Sequence, residues 1–171
     1  MSINPTQAEA LIQQLRVLVV DDNPFMRRVV RGLLTNIGVK KTIEAGDGIA
    51  ALDRIREDAP DVIILDWEMP LLNGPELVRI VRSPGVFPTP DIPIIMLSAH
   101  VEHWRILESV KLGVNEFLCK PVSAKALFGR LLSILLKPRE SVRLGDYYGP
   151  VPRIPVLDTE DEAPEPMPPA A

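Results

Sequence analysis

The sequence predicts an α/β fold, a parallel sheet carrying helices on both faces. Three observations predict it. Between residues 16 and 137, five short apolar runs, mostly of branched or aromatic residues, read as strands. Five longer amphipathic stretches separate and follow them, and capping or breaking residues stand at several of the seams. No fixed-period repeat is visible beyond this alternation.

The first strand, 17–20, is Val-Leu-Val-Val and ends at Asp21-Asp22-Asn23-Pro24. Asn23 is a cap side chain and Pro24 suits a first helical position, so a helix runs over 24–36 and stops before Gly38. The second strand, 42–45, leads to a helix over 48–57. The third, 62–65, leads through Asp66-Trp67-Glu68-Met69-Pro70 to a helix over 74–82. Residues 83–93, with Pro84, Pro88, Pro90 and Pro93, read as a stiff connector away from the carboxyl ends of the strands. The fourth strand, 94–97, precedes a helix over 101–112 that stops at Gly113. The fifth, 116–118, precedes a helix over 123–136.

The 171 residues suit one globular domain plus ends, and 46% hydrophobic content excludes wholesale disorder. With 19 Lys and Arg against 23 Asp and Glu, the net charge of -4 has the wrong sign for a general nucleic-acid binder. After Leu136 there is no helix-turn-helix pattern and no basic recognition helix, so no direct contact with nucleic acid is expected. Cys119 is the one cysteine, which excludes a disulfide scaffold or a cysteine zinc site and fits a reducing cytosol. Residues 1–15 have no basic start or continuous apolar run, and no later stretch approaches ~18 uninterrupted apolar residues. The expectation is a cytoplasmic protein with no membrane contact.

Seven of the 18 prolines follow Pro138, and residues 139–171 carry three basic against seven acidic side chains. Such a segment buries too little apolar surface to offset the entropy of ordering it. The expected organisation is an N-terminal extension at 1–15, one domain at 16–138 and a Pro-rich acidic tail at 139–171, mostly disordered. Tyr147, Tyr148, Ile154, Val156 and Leu157 leave a second reading for 143–157, an extended strap docked on this or a partner domain.

In open parallel sheets, ligands bind at the carboxyl ends of the strands. Asp21 and Asp22 follow the first strand, Asp66 the third, Ser98 the fourth, and Lys120 with Pro121 the fifth. Three carboxylates, a hydroxyl and an ammonium therefore converge on one edge. That much negative charge needs a cation, and oxygen ligands suit a hard divalent ion, Mg²⁺ above all.

Asp21-Asp22 after 17–20, Asp66-Trp67-Glu68-Met69-Pro70 with Gly74 beyond, Ser98-Ala99 and Lys120-Pro121 stand in one order over roughly residues 16–137. Together they resemble the receiver domain of bacterial two-component response regulators, of the stand-alone chemotaxis-receiver-like type with a C-terminal tail. The resemblance implies a flavodoxin-like five-stranded parallel sheet of order 2-1-3-4-5, with the first and third strands side by side. It implies that Asp66 is the phosphoryl acceptor, a carboxylate nucleophile. Mg²⁺ would be held by Asp22, Asp66 and the backbone carbonyl of Glu68, with Asp21 acting mainly through water. Ser98 and Lys120 would each take a phosphoryl oxygen, the lysine aimed by a cis Lys120-Pro121 bond.

The resemblance also implies an output. Ser98 would move toward the phosphoryl group and Phe117, which lacks the hydroxyl of the tyrosine many relatives carry, would turn inward. The altered surface would be the helix over 101–112, the strand 116–118 and the helix over 123–136. Glu68 and His100 would tune the lifetime of the phosphoryl group. The donor would be a sensor histidine kinase or a histidine phosphotransfer protein, and the target a downstream protein or a second copy of the chain. The protein would catalyse only its own phosphorylation and dephosphorylation. A phosphorelay intermediate or phosphate sink is the alternative. A Mg²⁺-dependent phosphatase of similar fold is a rival that needs a general acid two residues beyond the nucleophile, where only Glu68 stands. A flavodoxin-like cofactor binder fits less well, because Asp21-Asp22-Asn23-Pro24 would repel a phosphate.

Each residue also has an ordinary reading. Asp21-Asp22 could cap a helix, and Ser98 could cap the helix near Val101. His100 and His103 read as exposed helix-start residues, and Cys119 as a small buried or half-buried filler. Trp67 could partly roof the site. Phe128, Leu132 and Leu136 form a second apolar stripe beside Leu127, Leu131, Ile134 and Leu135, to be read as core or as a partner surface.

Overall fold

The computed structural model describes residues 3–152, which form six helices and seven strands. In chain order they run α1 (Pro5–Gln14), β1 (Arg16–Val20), α2 (Pro24–Asn36), β2 (Lys41–Ala45), α3 (Gly48–Asp58), β3 (Val62–Asp66) and α4 (Gly74–Val81). There follow β4 (Ile94–Ser98), α5 (His103–Leu112), β5 (Glu116–Cys119), α6 (Ala124–Leu136), β6 (Ser141–Leu144) and β7 (Tyr147–Pro150). The first five strands form a parallel sheet in the order β2-β1-β3-β4-β5. In its register Val20 pairs with Leu65, Asp66 with Leu97 and Ser98 with Cys119, so four strand tips end at one level.

Alternate side chains of each strand enter opposite layers. Leu18, Val20, Ile63, Leu65, Ile94 and Met96 pack with Ala51 and Ile55 of α3 and Leu77, Val78 and Val81 of α4. Val17, Val19, Val62, Ile64, Ile95 and Leu97 pack on the other side with Val30 and Leu34 of α2 and Leu127 and Leu131 of α6. Each such side chain removed from water contributes roughly 1.5–3 kcal/mol before entropy is counted.

The helix starts follow their caps. Asn23 Oδ1 accepts from the N–H of Phe25 at 2.9 Å, with Pro24 at the first helical position. Asn73 and Glu76 form a reciprocal capping box at 2.9 Å in each direction. α5 begins at His103, two residues later than the sequence predicts, because its N-cap residue Glu102 has a non-helical ψ of 138°; upstream, Ser98 Oγ accepts the His100 N–H at 3.1 Å.

The ends of the chain differ from expectation. Residues 1–15 are more than an extension: Asn4 and Gln7 form a capping box ahead of α1, and Ala8, Ile12 and Leu15 are buried. Ile12 and Leu15 share the cluster of Leu127 and Leu131, and α1 packs on α6. Phe128 and Leu132 are partly buried against the same cluster, so they belong to the core; Leu136 remains exposed.

The expected tail also needs correcting over its described part. β6 and β7 form an antiparallel hairpin, and β7 lies on α5. Backbones meet closely there: a Cβ on Gly149 would stand 2.8 Å from Gly113 Cα, and one on Gly113 2.9 Å from the Tyr148 carbonyl oxygen. Arg139 donates to the carbonyls of Asn115 at 2.6 Å and Val151 at 2.8 Å, while Tyr148 donates its hydroxyl to Asp91 at 2.6 Å. The strap reading for 143–157 is nearer, although Ile154, Val156 and Leu157 lie outside the described residues.

The Pro-rich segment 83–93 is anchored rather than merely stiff. The buried Arg82 guanidinium donates to the carbonyls of Pro90 and Ile92, each at 2.6 Å, to that of Gly113 at 2.9 Å and to Asn115 Oδ1 at 2.9 Å. Burial lowers its pKa to about 10. Phe87 and Ile92 of the same segment are buried in the core.

Candidate functional site

Ladder bonds that run on past the strands place each functional residue. The Asp21 N–H donates to the Ala45 carbonyl at 3.2 Å, the Trp67 N–H to that of Leu97 at 2.9 Å, and the Lys120 N–H to that of Ser98 at 2.8 Å. Arg27, which the sequence reading does not single out, braces the first tip by donating to the Asp21 carbonyl at 2.7 Å. Gly74 permits α4 to start against β3, since a Cβ there would meet the Asp66 carbonyl oxygen at 2.5 Å. Its N–H donates to the Trp67 carbonyl at 3.0 Å.

Asp21, Asp22 and Asp66 each bring a carboxylate oxygen within 4.8 Å of the others, with Asp21 and Asp66 buried and Asp22 exposed. Lys120 Nζ lies 2.9 Å from Asp66 Oδ1 and 3.2 Å from Asp21 Oδ2, and the Lys120–Pro121 bond is cis. Asp21 Oδ1 accepts the Asn23 N–H at 2.9 Å. Ser98 is fully buried at the adjacent tip.

Burial raises the Asp66 pKa above the ordinary range, and the charges of Asp21 and Asp22 push it the same way against the hydrogen bond and charge of Lys120. Burial pulls Lys120 down, but the hydrogen bond and charge of Asp66, followed by those of Asp21, outweigh it and hold the ammonium above its usual value. One ammonium thus faces three carboxylates. A divalent cation would relieve the excess, and an all-oxygen donor set open to water at Asp22 suits Mg²⁺.

The remaining predicted residues lie toward α5 and β5. Glu68 is exposed, and its Oε1 pairs with Arg105 Nη2 at 2.8 Å. His100 is exposed, with Nδ1 3.7 Å from Glu102 Oε1. Phe117 is half-buried, its ring 6.5 Å from that of Trp67 in an edge contact. Trp67 is buried as part of the core cluster, and its ring also meets Phe117 of β5 and Trp104 and Arg105 of α5, so it is not an exposed roof over the site. Cys119 is exposed rather than a buried filler, as the last residue of β5 at the edge of the sheet.

The family model for the response regulator receiver domain matches residues 17–132. The chemotaxis protein CheY-3 of Vibrio cholerae is 33% identical over 124 residues, covering 72% of this chain and 94% of that protein. The chemotaxis protein CheY1 of Helicobacter pylori is 35% identical over 122 residues, covering 71% and 97%. Among solved structures, the receiver domain of Francisella response regulator 1452 aligns with a TM-score of 0.64 at 34% identity, over 72% of this chain and 98% of that one.

Proposed function

Because this chain belongs to the response regulator receiver family, we propose that Asp66 is its phosphoryl acceptor and that Asp21, Asp22 and Lys120 prepare it for transfer. The observation that carries this reading is the cluster itself: three carboxylates within 4.8 Å, the central one 2.9 Å from a lysine ammonium.

Asp22, Asp66 and the backbone carbonyl of Glu68 are the groups to hold Mg²⁺, with Asp21 behind them; once bound, the ion neutralises developing charge on the transferred group. An Asp66 carboxylate oxygen attacks the phosphorus of a phosphohistidine. The P–N bond breaks, and the imidazole nitrogen keeps the electron pair and takes up a proton. Asp66 is left as an acyl phosphate. Lys120 exchanges its contact with Asp66 for one with a phosphoryl oxygen, and Ser98 donates its hydroxyl to another. Movement of Ser98 at the tip of β4, with Phe117 following on β5, alters the face made by α5, β5 and α6.

Donor docking at the carboxyl edge is supported by exposed apolar side chains there: Phe25 at the start of α2, Ile49 at the start of α3 and Leu71 after β3. A sensor histidine kinase or histidine phosphotransfer protein is the donor, in the cytoplasm. No described helix is long and apolar enough to cross a membrane. The protein turns over no external substrate. Against the phosphatase reading stands the Glu68 side chain, which is bound to Arg105 instead of free to act as a general acid.

Beryllofluoride with Mg²⁺, a mimic of the phosphoryl group, tests the site. Binding should change the fluorescence of Trp67 and Trp104, with no change in EDTA or in Asp66→Asn. A signal that survives Asp66→Asn would place the acceptor elsewhere.

A further inference from the structure

Arg105, on the first turn of α5, reaches the mouth of the site and touches it from several sides. Its Nη2 lies 2.8 Å from Glu68 Oε1, and its Nη1 lies 3.5 Å from Ser98 Oγ. The guanidinium carbon stands 4.9 Å from the Trp67 ring centroid and 5.1 Å from that of Trp104. Its Nε is 3.7 Å from Glu102 Oε2 and makes no hydrogen bond. The arginine side chain is 13% exposed, while that of Glu68 is 58% exposed. A mobile surface carboxylate is therefore tied to an immobilised cation. Only a planar fork can hold a carboxylate at one edge while its faces stay in contact with aromatic rings.

We propose that Arg105 is a positioning residue that prolongs the life of the phosphoryl group by holding the Glu68 carboxylate against α5, away from the hydrolytic water. This rests on the reading of Asp66 as the acceptor. In hydrolysis a water oxygen attacks phosphorus and the bond from phosphorus to the Asp66 oxygen breaks. That oxygen keeps the electron pair, the carboxylate is restored, and inorganic phosphate leaves as the water proton passes to solvent. A free carboxylate two residues beyond the acceptor is a base within reach of that water. Committed to a guanidinium 2.8 Å away, it is turned aside. The same pairing explains why two tryptophans converge here: they fix the arginine, and the arginine fixes the glutamate.

The test labels the full chain with acetyl phosphate and Mg²⁺, removes the donor, and follows loss of the phosphoryl group by intact mass. The proteins are wild type, Arg105→Ala, Arg105→Lys, Glu68→Ala and the double alanine variant. Arg105→Ala should lose the group roughly tenfold faster, less than the ~10²–10⁴-fold of a fully positioned general base, because a released surface carboxylate meets the water only part of the time. The double variant should decay like Glu68→Ala, because the carboxylate that Arg105 restrains is gone. Arg105→Lys keeps a positive charge but lacks the planar fork that the two rings hold, so it should decay at a rate between wild type and Arg105→Ala. A second readout needs neither metal nor phosphate. The chain has two tryptophans and both contact Arg105, so emission of the resting protein should change in Arg105→Ala and Arg105→Lys. An Arg105→Ala protein that decays at the wild-type rate or slower overturns the proposal, as does an acceleration undiminished by removing Glu68. A wild type that takes no label overturns both this and the reading of Asp66, and differs visibly from a labelled wild type whose variants decay alike.

Discussion

Asp66 carries two conflicting demands. As the proposed nucleophile it would have to be charged, yet it is buried beside Asp21 and near Asp22, and its pKa is raised for those reasons. A carboxyl whose folded pKa exceeds its unfolded value binds protons more tightly in the folded state. Stability of the metal-free protein should therefore rise as pH falls through the folded pKa of Asp66, above the usual 3.8, and be lower where the group is ionised. Asp66→Asn removes the charge while keeping the shape, so at neutral pH without metal its Tm should exceed that of wild type by a few degrees. The gap should narrow on acidification, and thermal melts across pH check both statements. A variant less stable than wild type at neutral pH would mean that the bond to Lys120 outweighs burial and repulsion. Ser98 shows another form of economy at this scale: its oxygen accepts the His100 N–H, so the residue that would bind a phosphoryl group also holds the first residues of the loop that leads to α5.

At the scale of elements, the hairpin is the part this chain adds to the α5 and β5 side of the sheet. Tyr148 anchors it: the hydrogen bonds from Tyr148 and Ser141 lower the Asp91 pKa. A depressed carboxyl contributes stability above its unfolded pKa and loses it as pH falls through the folded one. Tyr148→Phe should thus melt below wild type at neutral pH, and the difference should close as pH falls below about 3.8, the ordinary Asp value. A gap constant down to the lowest pH would show that the hydroxyl acts by packing alone. The five parallel strands were legible because β1, β3 and β4 are short, mostly apolar runs, β2 and β5 carry branched or aromatic residues between polar ones, and caps or breakers stand at several of the seams, as at Asn23-Pro24. The hairpin was not, because composition averaged over 139–171 is dominated by the acids and prolines after residue 152, which mask Tyr147 and Tyr148. α1 left a usable signal in Ala8, Ile12 and Leu15, apolar positions one helical turn apart along a single stripe. A search for a continuous apolar run passes over it.

Across the whole molecule, the order β2-β1-β3-β4-β5 makes the site possible. It sets the tips of β1 and β3 side by side for the three carboxylates, and the tips of β4 and β5 beside them for Ser98 and Lys120. That convergence could be read from the residues after each strand, since a parallel sheet sends every carboxyl end to one edge. The direction in which the surrounding side chains point could not. Arg105 meets Glu68 only through the rotation of α5 about its axis and the path of the loop after β3, neither of which is encoded locally. In the proposed account both sides of the molecule would act together: the carboxyl edge would take the phosphoryl group, and α5, tied to Glu68 through Arg105 and packed on β7, would carry the change outward.

The measurement closest to the central claim is intact mass after incubation with Mg²⁺ and acetyl phosphate, beside an EDTA control, Asp66→Asn and Lys120→Ala. The expected result is a gain of one phosphoryl group that requires Mg²⁺, is absent in Asp66→Asn, and forms about a hundredfold more slowly in Lys120→Ala, as for loss of one preorganised donor to a developing anion. A gain that persists in Asp66→Asn or in EDTA, or a wild type that stays unmodified with acetyl phosphate and unresponsive to beryllofluoride, would contradict it.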